Sequence, residues 1–474
     1  MKTHKLIIGD KRVSTKEFTT VIYPYNGKPV ANVCMAGPKE LDLAIKSSQE
    51  AFKITRNFAG HDVSSLLRRA IHGIIQKRKL LVDTIVAEAG KPVAFAEQEV
   101  DRTISTFRVA AEEATRRMGG EYLPLDIDAR AADRFAVTKR FPVGVVGGIS
   151  PFNFPLNLVA HKVAPVIASR NTMVLKPATK TPITALLLGE ILLEAGMTPG
   201  QINVVPCHSS VGEALATDDR IKKLTFTGSP KVGWRLKAIA GMKRLTLELG
   251  GNAAAVVMAD ANLKWAVPRI VAGSFAYSGQ TCISVQRILI QKRIYDKTVR
   301  ALVAEIKKNV KVGDPRRSDV MVGPMINISS LEQTQDWVQQ AVEGGAKVLI
   351  GGNRKRRCFS PTLLSNVKNS MNVVCKEVFA PVSTVQSFST FDQAMNMVNN
   401  SDFGLQMGIF TNSHEYAWRA FDMADVGGVV INDFPTFRVD NMPYGGVKMS
   451  GLGREGVKYA MDEMTEIKVM VMKK

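Results

Sequence analysis

The chain has 474 residues, of which 45% are hydrophobic and 22% charged, with a net charge of +20. That length suits about two or three domains, and the balance is ordinary for a soluble globular protein. The longest apolar runs, such as Ala253 to Met258, suit buried strands and exclude a membrane span. The segment Met1 to Asp10 is basic, but its apolar stretch is far too short for a secretion signal, so a cytoplasmic protein is expected. Cys34, Cys207, Cys282, Cys358 and Cys375 form an odd, sparse set without paired spacing. This argues against a disulfide framework and against structural zinc. The positive charge admits anionic ligands or a nucleic-acid partner. However, basic residues alternate with apolar ones, as in Lys307 to Lys311, and the densest cluster, Lys355-Arg356-Arg357, reads as a loop. Few aromatics stand near these clusters, so a solvated basic surface is expected and nucleic-acid binding is not.

In chain order, an extended segment comes first. Amphipathic helices are expected over Pro38 to Asn57 and Ser64 to Ala89, the second ended by Gly90. A third follows Pro92 and runs to about Met118, closed by Gly119-Gly120. Residues Glu121 to Arg140 read as a polar, protruding hairpin. From Val143 short apolar strands alternate with helices: Val143 to Gly147, Thr172 to Leu175, Ile202 to Val205 and Lys223 to Phe226, with a helix from Ile183 to Ala195. Such alternation predicts a parallel sheet covered on both faces. A strand near Leu245 to Leu247 leads into a second α/β region that begins at Ala253 to Val256. Residues Glu466 to Met472 alternate like a strand.

Three short segments carry chemistry. Gly279-Gln280-Thr281-Cys282 offers a thiol; a thiolate adds to an aldehyde, and the thioester that follows is readily hydrolysed. Leu247-Glu248-Leu249-Gly250-Gly251-Asn252 offers a carboxylate 34 residues before Cys282, a type suited to activating water. Ser150-Pro151-Phe152-Asn153-Phe154-Pro155 offers a side-chain amide that can face an oxyanion, with the Cys282 backbone N–H as second donor. Each has a plainer reading: a buried apolar cysteine, a strand-end ion pair, a turn asparagine. His161 and His208 are better read as ordinary structural residues than as bases.

Taken together, in this order and over almost the whole chain, these segments resemble the NAD(P)-dependent aldehyde dehydrogenase superfamily. Around Pro435-Thr436-Phe437-Arg438 the likeness is to its lactaldehyde and non-phosphorylating glyceraldehyde-3-phosphate branch. The resemblance implies an α/β fold: a Rossmann-type cofactor domain (residues 1–120 and 141–248), an α/β catalytic domain (249–441) and a small β oligomerisation element (121–140 and 442–474). It implies Cys282 as nucleophile, Glu248 as base and Asn153 as oxyanion donor. The presence of Glu248 favours water over coenzyme A as acyl acceptor. A coenzyme-A-acylating relative, or a silent structural or RNA-binding protein on this scaffold, are the rival readings. No metal is expected.

For the cofactor, the chain lacks a standard G-x-G-x-x-G. The resemblance instead places it along Ser150, Pro151 and Phe152, at the Gly228-Ser229 turn and the helix that follows, and beside Lys176, Glu377 and Phe379. Many NAD-preferring relatives carry glutamate three residues after that lysine; here the position is Thr179, followed by Lys180. A hydroxyl tolerates a 2′-phosphate that a carboxylate would repel, so NADP is expected ahead of NAD. Arg108 and Arg438 border the expected aldehyde tunnel. If both point inward they can clamp an anionic aldehyde. The C-terminal strand resembles the family's edge strand that joins another subunit, so a dimer or tetramer is expected.

Overall fold

A computed structural model describes residues 1–474. Its centre is a sheet whose five parallel strands run in the spatial order Arg244–Glu248, Ile221–Thr227, Val145–Ile149, Thr172–Lys176, Ile202–Val204. They are in parallel register, with Thr227 opposite Glu248 and Ile149 opposite Lys176. The strands are buried on both faces because helices cover both, which is why they read as continuous apolar runs. Antiparallel strands close both edges: Gly451–Leu452 beside Arg244–Glu248, and Leu6–Ile8 with Lys11–Val13 at the other side. Packed over it are the helices Pro38–Thr55, Gly60–Gln76, Arg78–Ala89, Val93–Arg116, Asn157–Ala168 and Ile183–Glu194.

A second, seven-stranded sheet is centred on Ala253–Val257, Val285–Gln291, Val382–Phe388 and Gln406–Phe410, all parallel. The carboxyl ends of the first sheet's strands face the amino-terminal approaches to Val285–Gln291 and Val382–Phe388, and the functional cleft opens between them. A third, three-stranded antiparallel sheet consists of Tyr122–Pro124, Arg134–Pro142 and the terminal strand Thr465–Lys473. No helix is long and apolar enough to cross a membrane.

Three details differ from the reading of the sequence. The helix expected over Ser64 to Ala89 breaks at Lys77, which leaves α geometry at φ −95°, ψ 15°. Buried positions Ile74, Leu81 and Ile85 stay nearly in step across the break, so periodicity cannot reveal it. Gly120 does not cap a helix; a Cβ there would lie 1.7 Å from the Thr138 carbonyl oxygen, so the glycine allows two chain segments to cross closely. Finally, residues 442–464 do not belong with the protruding sheet. Gly451–Leu452 extends the first sheet, and Val457, Met461 and Met464 sit in its main hydrophobic core, leaving only the last strand to pair outward.

Candidate active site

Local backbone sets the thiol in place. Tyr277, Ser278 and Gly279 are all left-handed (φ 50°, 58° and 65°), ending the helix Leu263–Phe275 and turning the chain back before Cys282. A Cβ on Gly279 would lie 2.2 Å from the Ala380 carbonyl oxygen, and one on Gly251 would lie 2.1 Å from the Cys282 carbonyl oxygen. Both glycines therefore permit the close backbone approach on which the turn depends. Gln280 anchors the loop: its Oε1 accepts from Ile326 N at 2.9 Å, and its own carbonyl accepts from Asn153 Nδ2 at 3.1 Å. The second N–H of the Asn153 amide has no protein partner.

Glu248 is the last residue of its strand and is buried, and neither carboxylate oxygen has a hydrogen-bond partner. Burial, reinforced by the neighbouring Glu455, raises its carboxyl well above the usual range. Such a carboxyl, once ionised, is a stronger base than an exposed one. Burial also pushes the Cys282 thiol up to about 12, with Glu377 and Glu248 adding to it and the Tyr444 hydroxyl and Arg438 opposing. Cys282, Glu248 and Asn153 line one cleft of about 620 Å³.

The same cleft is lined by Ser150, Pro151, Phe152, Lys176, Gly228, Ser229, Glu377 and Phe379. Its walls include Ile149, Phe226, Val232, Leu236 and Leu249, an apolar slot of the kind a flat base fills. Ser229 caps the helix Pro230–Ile239 without a side-chain hydrogen bond, leaving its first-turn N–H groups available to a pyrophosphate. Glu377 Oε1 accepts from Gly251 N at 2.9 Å, and enclosure of its carboxyl pushes it up to about 7. The Phe152 and Phe379 rings meet edge to face. These residues fit a dinucleotide: apolar slot, anion-receptive helix start, cations Lys176 and Lys231, and a carboxylate able to accept from ribose hydroxyls. Thr179 is half-buried and is not among the cleft-lining residues; Lys180 is exposed.

The arginine pair needs correction. Arg108 is exposed on the helix Val93–Arg116 and is not among the cleft-lining residues. Its place is taken by Arg102, which flanks the buried face marked by Glu99, Thr103 and Thr106. Six residues of helix rotate a side chain by about 240°, so the two cannot share a face. Arg438 is buried; its Nη2 bonds His161 Nδ1 at 3.0 Å and lies 3.5 Å from Glu455, and its guanidinium covers the Tyr444 ring at 3.7 Å. Arg102 Nη2 lies 3.5 Å from Asp440, and burial together with Arg438 lowers its pKa. Arg102 Nε and Nη2 and Arg438 Nε are buried donors without hydrogen-bond partners.

Around them His161 Nε2 sits 3.1 Å from Asp440, and burial takes its imidazole down to about 4, so it is neutral. Lys162 is fully buried and bonds Thr225, Thr227 and Glu455. Burial alone would raise the Glu455 carboxyl, but Lys162 and Arg438 outweigh it and hold it at about 2. His208 is on the surface, paired with Glu17. Arg102, Lys162 and Glu455 are not recognised from sequence as parts of this site; Tyr444 is, only as a member of a segment whose side chains reach the tunnel. A helical phase count from the buried Glu99 and Thr106 would have favoured Arg102 over Arg108.

A buried thiol, a side-chain amide and a buried carboxylate lining one cleft that fits a dinucleotide are the groups a nicotinamide-dependent oxidoreductase acting on a carbonyl needs. The aldehyde dehydrogenase family model matches residues 11–470, and the chain belongs to that family. As such it catalyses NAD(P)-dependent oxidation of an aldehyde. It is 39% identical over 473 residues to a 3-sulfolactaldehyde dehydrogenase of Priestia aryabhattai, covering 100% of this chain and 98% of that one. The crystal structure of aldehyde dehydrogenase 21 from Physcomitrella patens, in complex with the reaction product succinate, superposes with a TM-score of 0.97 at 41% identity, covering 100% and 98% of the two chains. A glyceraldehyde-3-phosphate dehydrogenase from Methanocaldococcus jannaschii, complexed with NADP, superposes with a TM-score of 0.93 at 36% identity, covering 97% and 100%.

Proposed function

We propose that this enzyme oxidises a small aldehyde bearing an anionic group to the corresponding acid, with NADP as the preferred cofactor. The substrate class rests on the buried Nε donors of Arg102 and Arg438, which have no hydrogen-bond partner, and on the Arg438 guanidinium lying over the ring of Tyr444, whose hydroxyl is 3.1 Å from Cys282 Sγ. Buried donors without partners are costly, and a carboxylate or sulfonate is the group that would satisfy them together. The relatives named above act on, or hold, anionic compounds, which supports the same reading.

In this reading Cys282 Sγ adds to the aldehyde carbon. The oxygen becomes an oxyanion that accepts from Asn153 Nδ2 and the Cys282 backbone N–H, each donor contributing roughly 3–4 kcal/mol. The cofactor's nicotinamide supplies an acceptor for the hydride that leaves this carbon. Glu248 then removes a proton from water as the water attacks the thioester, and the carboxylic acid leaves with Cys282 restored. Lys176, Glu377, Phe379 and the Gly228-Ser229 turn would hold the cofactor. The preference for NADP rests on the cations Lys176 and Lys231 in the cleft, which a 2′-phosphate can pair with; Thr179, outside the cleft lining, carries none of it. The protein is further read as a cytoplasmic homo-oligomer, in keeping with five free cysteines and an unpaired terminal strand edge.

Initial rates of reduced-cofactor formation test both parts. Succinic semialdehyde should exceed butanal, its neutral counterpart, by at least about tenfold in kcat/KM, and Arg102→Leu should remove about 10–100-fold for the anionic aldehyde only. Equal kcat/KM for the two aldehydes would remove the basis for an anionic substrate. Equal or better rates with NAD would do the same for the cofactor preference.

A further inference from the structure

Tyr444 is the one side chain hydrogen-bonded to the thiol. Its hydroxyl lies 3.1 Å from Cys282 Sγ, and the residue is 4% exposed. Its position is fixed from three sides. Tyr444 N donates to the Glu455 carbonyl at 3.0 Å, and Glu455 N donates back at 2.6 Å. Gly445, next in the chain, has φ +156°, and a Cβ there would lie 2.9 Å from Glu248 Oε1. The ring face is covered by the Arg438 guanidinium at 3.7 Å. A cation over the face draws electron density from the ring and makes the phenol a stronger donor.

The charged and titratable groups facing Cys282 are Glu248, Glu377, Arg438 and Tyr444. The two carboxylates oppose a thiolate; only the phenol and the guanidinium favour one. Burial keeps the phenol protonated, with its pKa well above the usual value, so Tyr444 is a donor and not the base that takes the thiol proton.

We propose that the Tyr444 O–H donates a hydrogen bond to Cys282 Sγ, stabilising the thiolate as attacking and as leaving group, so that Tyr444 is a catalytic residue of this reaction. The proposal rests on Cys282 being the nucleophile. In the attack, the thiol has already given its proton to solvent; the thiolate lone pair forms the S–C bond, the C=O π pair moves onto the carbonyl oxygen, and the phenol keeps its proton. In thioester hydrolysis the C–S bond breaks, its electron pair returns to Sγ, and the Tyr444 O–H is already aimed at that charge. The bond is strongest to thiolate and weaker to thioether sulfur, so it acts where charge is present.

The test uses the full-length enzyme and Tyr444→Phe, which keeps the ring and removes only the hydroxyl. The pH dependence of iodoacetamide alkylation is followed at the Cys282 peptide by mass spectrometry, because Cys375 is also partly exposed. Loss of the donor should leave about tenfold less thiolate at a given pH. Burial holds the thiol at about 12, so the quantity read is the alkylation rate at about pH 8, on the rising limb. A less stabilised thiolate is also the better nucleophile, so that rate should fall by about threefold. Incorporation of a fluorotyrosine at Tyr444, a stronger donor, should move the rate the other way, and a simple packing role would move neither. An unchanged or raised rate in Tyr444→Phe that still binds NADP would overturn the proposal, as would a fluorotyrosine enzyme with an unmoved rate. Cys282→Ala separates this from the reading beneath it. Turnover by Cys282→Ala removes Cys282 as nucleophile, whereas an inactive Cys282→Ala with an unmoved Tyr444→Phe rate removes only the role of Tyr444.

Discussion

At the scale of single residues, the chemistry legible in the sequence is the part carried by contiguous segments. Cys282, Glu248 and Asn153 each sit in a run whose neighbours have backbone duties: Gly279 and Gly251 make room, and Gln280 receives the Asn153 amide. A run of residues with linked duties leaves a local pattern. Arg102 and Tyr444 leave none, because the groups they meet, Asp440 and Cys282, lie far away in the chain, 162 residues in the case of Tyr444. Glu248 carries the sharpest prediction at this scale. Its carboxyl is raised by burial and by Glu455, so it is protonated at low pH and becomes a base as pH rises through that raised value. Deacylation should therefore increase with pH across that limb. Glu248→Gln should abolish the limb and give a rapid burst of reduced cofactor followed by a steady rate lower by about 10²–10⁴-fold, since thioester would accumulate. Stopped-flow absorbance of the reduced cofactor would read both phases. A wild-type steady rate in Glu248→Gln would assign the water's activation to another group, and coenzyme A would then be tested as acceptor.

Elements were legible where burial has a period, and their ends where a special backbone was needed. The left-handed Gly90 ends its helix at φ 65° as its position after Ala89 implies. The bend at Lys77 was not legible, because it keeps the buried positions in phase. Nor was the support beneath the Asn153 segment, which depends on long-range polar pairs. Glu99 Oε1 accepts from Leu156 N and Asn157 N at 2.8 and 3.1 Å, capping the helix Asn157–Ala168 just after Asn153. Its other oxygen pairs with Lys91, fully buried, whose ammonium sits 3.6 Å from the Phe154 ring centre. Burial takes that ammonium down to about 8, with Glu99 working to keep it charged. Glu99→Ala removes the cap and leaves the ammonium without its counter-charge, a change of about 3–5 kcal/mol for a buried pair broken on one side. Glu99→Gln keeps an acceptor for the two N–H groups and should cost less. Thermal unfolding should rank wild type above Glu99→Gln and Gln above Ala; equal midpoints for all three would mean that the helix start is held by other contacts.

For the whole molecule, the alternation of strand and helix was enough to read two α/β regions. Their arrangement was not, because nothing local says that the carboxyl ends of one sheet face the approaches to the other. That arrangement puts Glu248 and Asn153 from the first unit against Cys282 and Glu377 from the second. The part of the molecule left open is the third sheet. Thr465–Lys473 pairs along its length with Arg134–Pro142 on one side and has no strand on the other. Ile467, Val469, Met470 and Val471 are each more than half exposed, on both faces of the strand. An edge nine residues long with bare apolar faces invites another chain to pair with it or to pack on it. A second copy of the same chain, adding its own protruding sheet, covers both the edge and the faces. The expected outcome is therefore a dimer or tetramer in sedimentation velocity at micromolar concentration. Deletion of Val469 to Lys474 should shift it toward smaller species and lower its thermal midpoint, while leaving the Cys282 cleft chemically intact in whatever fraction remains folded. A full-length protein that sediments as an active monomer, or a truncated one that keeps its assembly, would show that this strand does not form the contact.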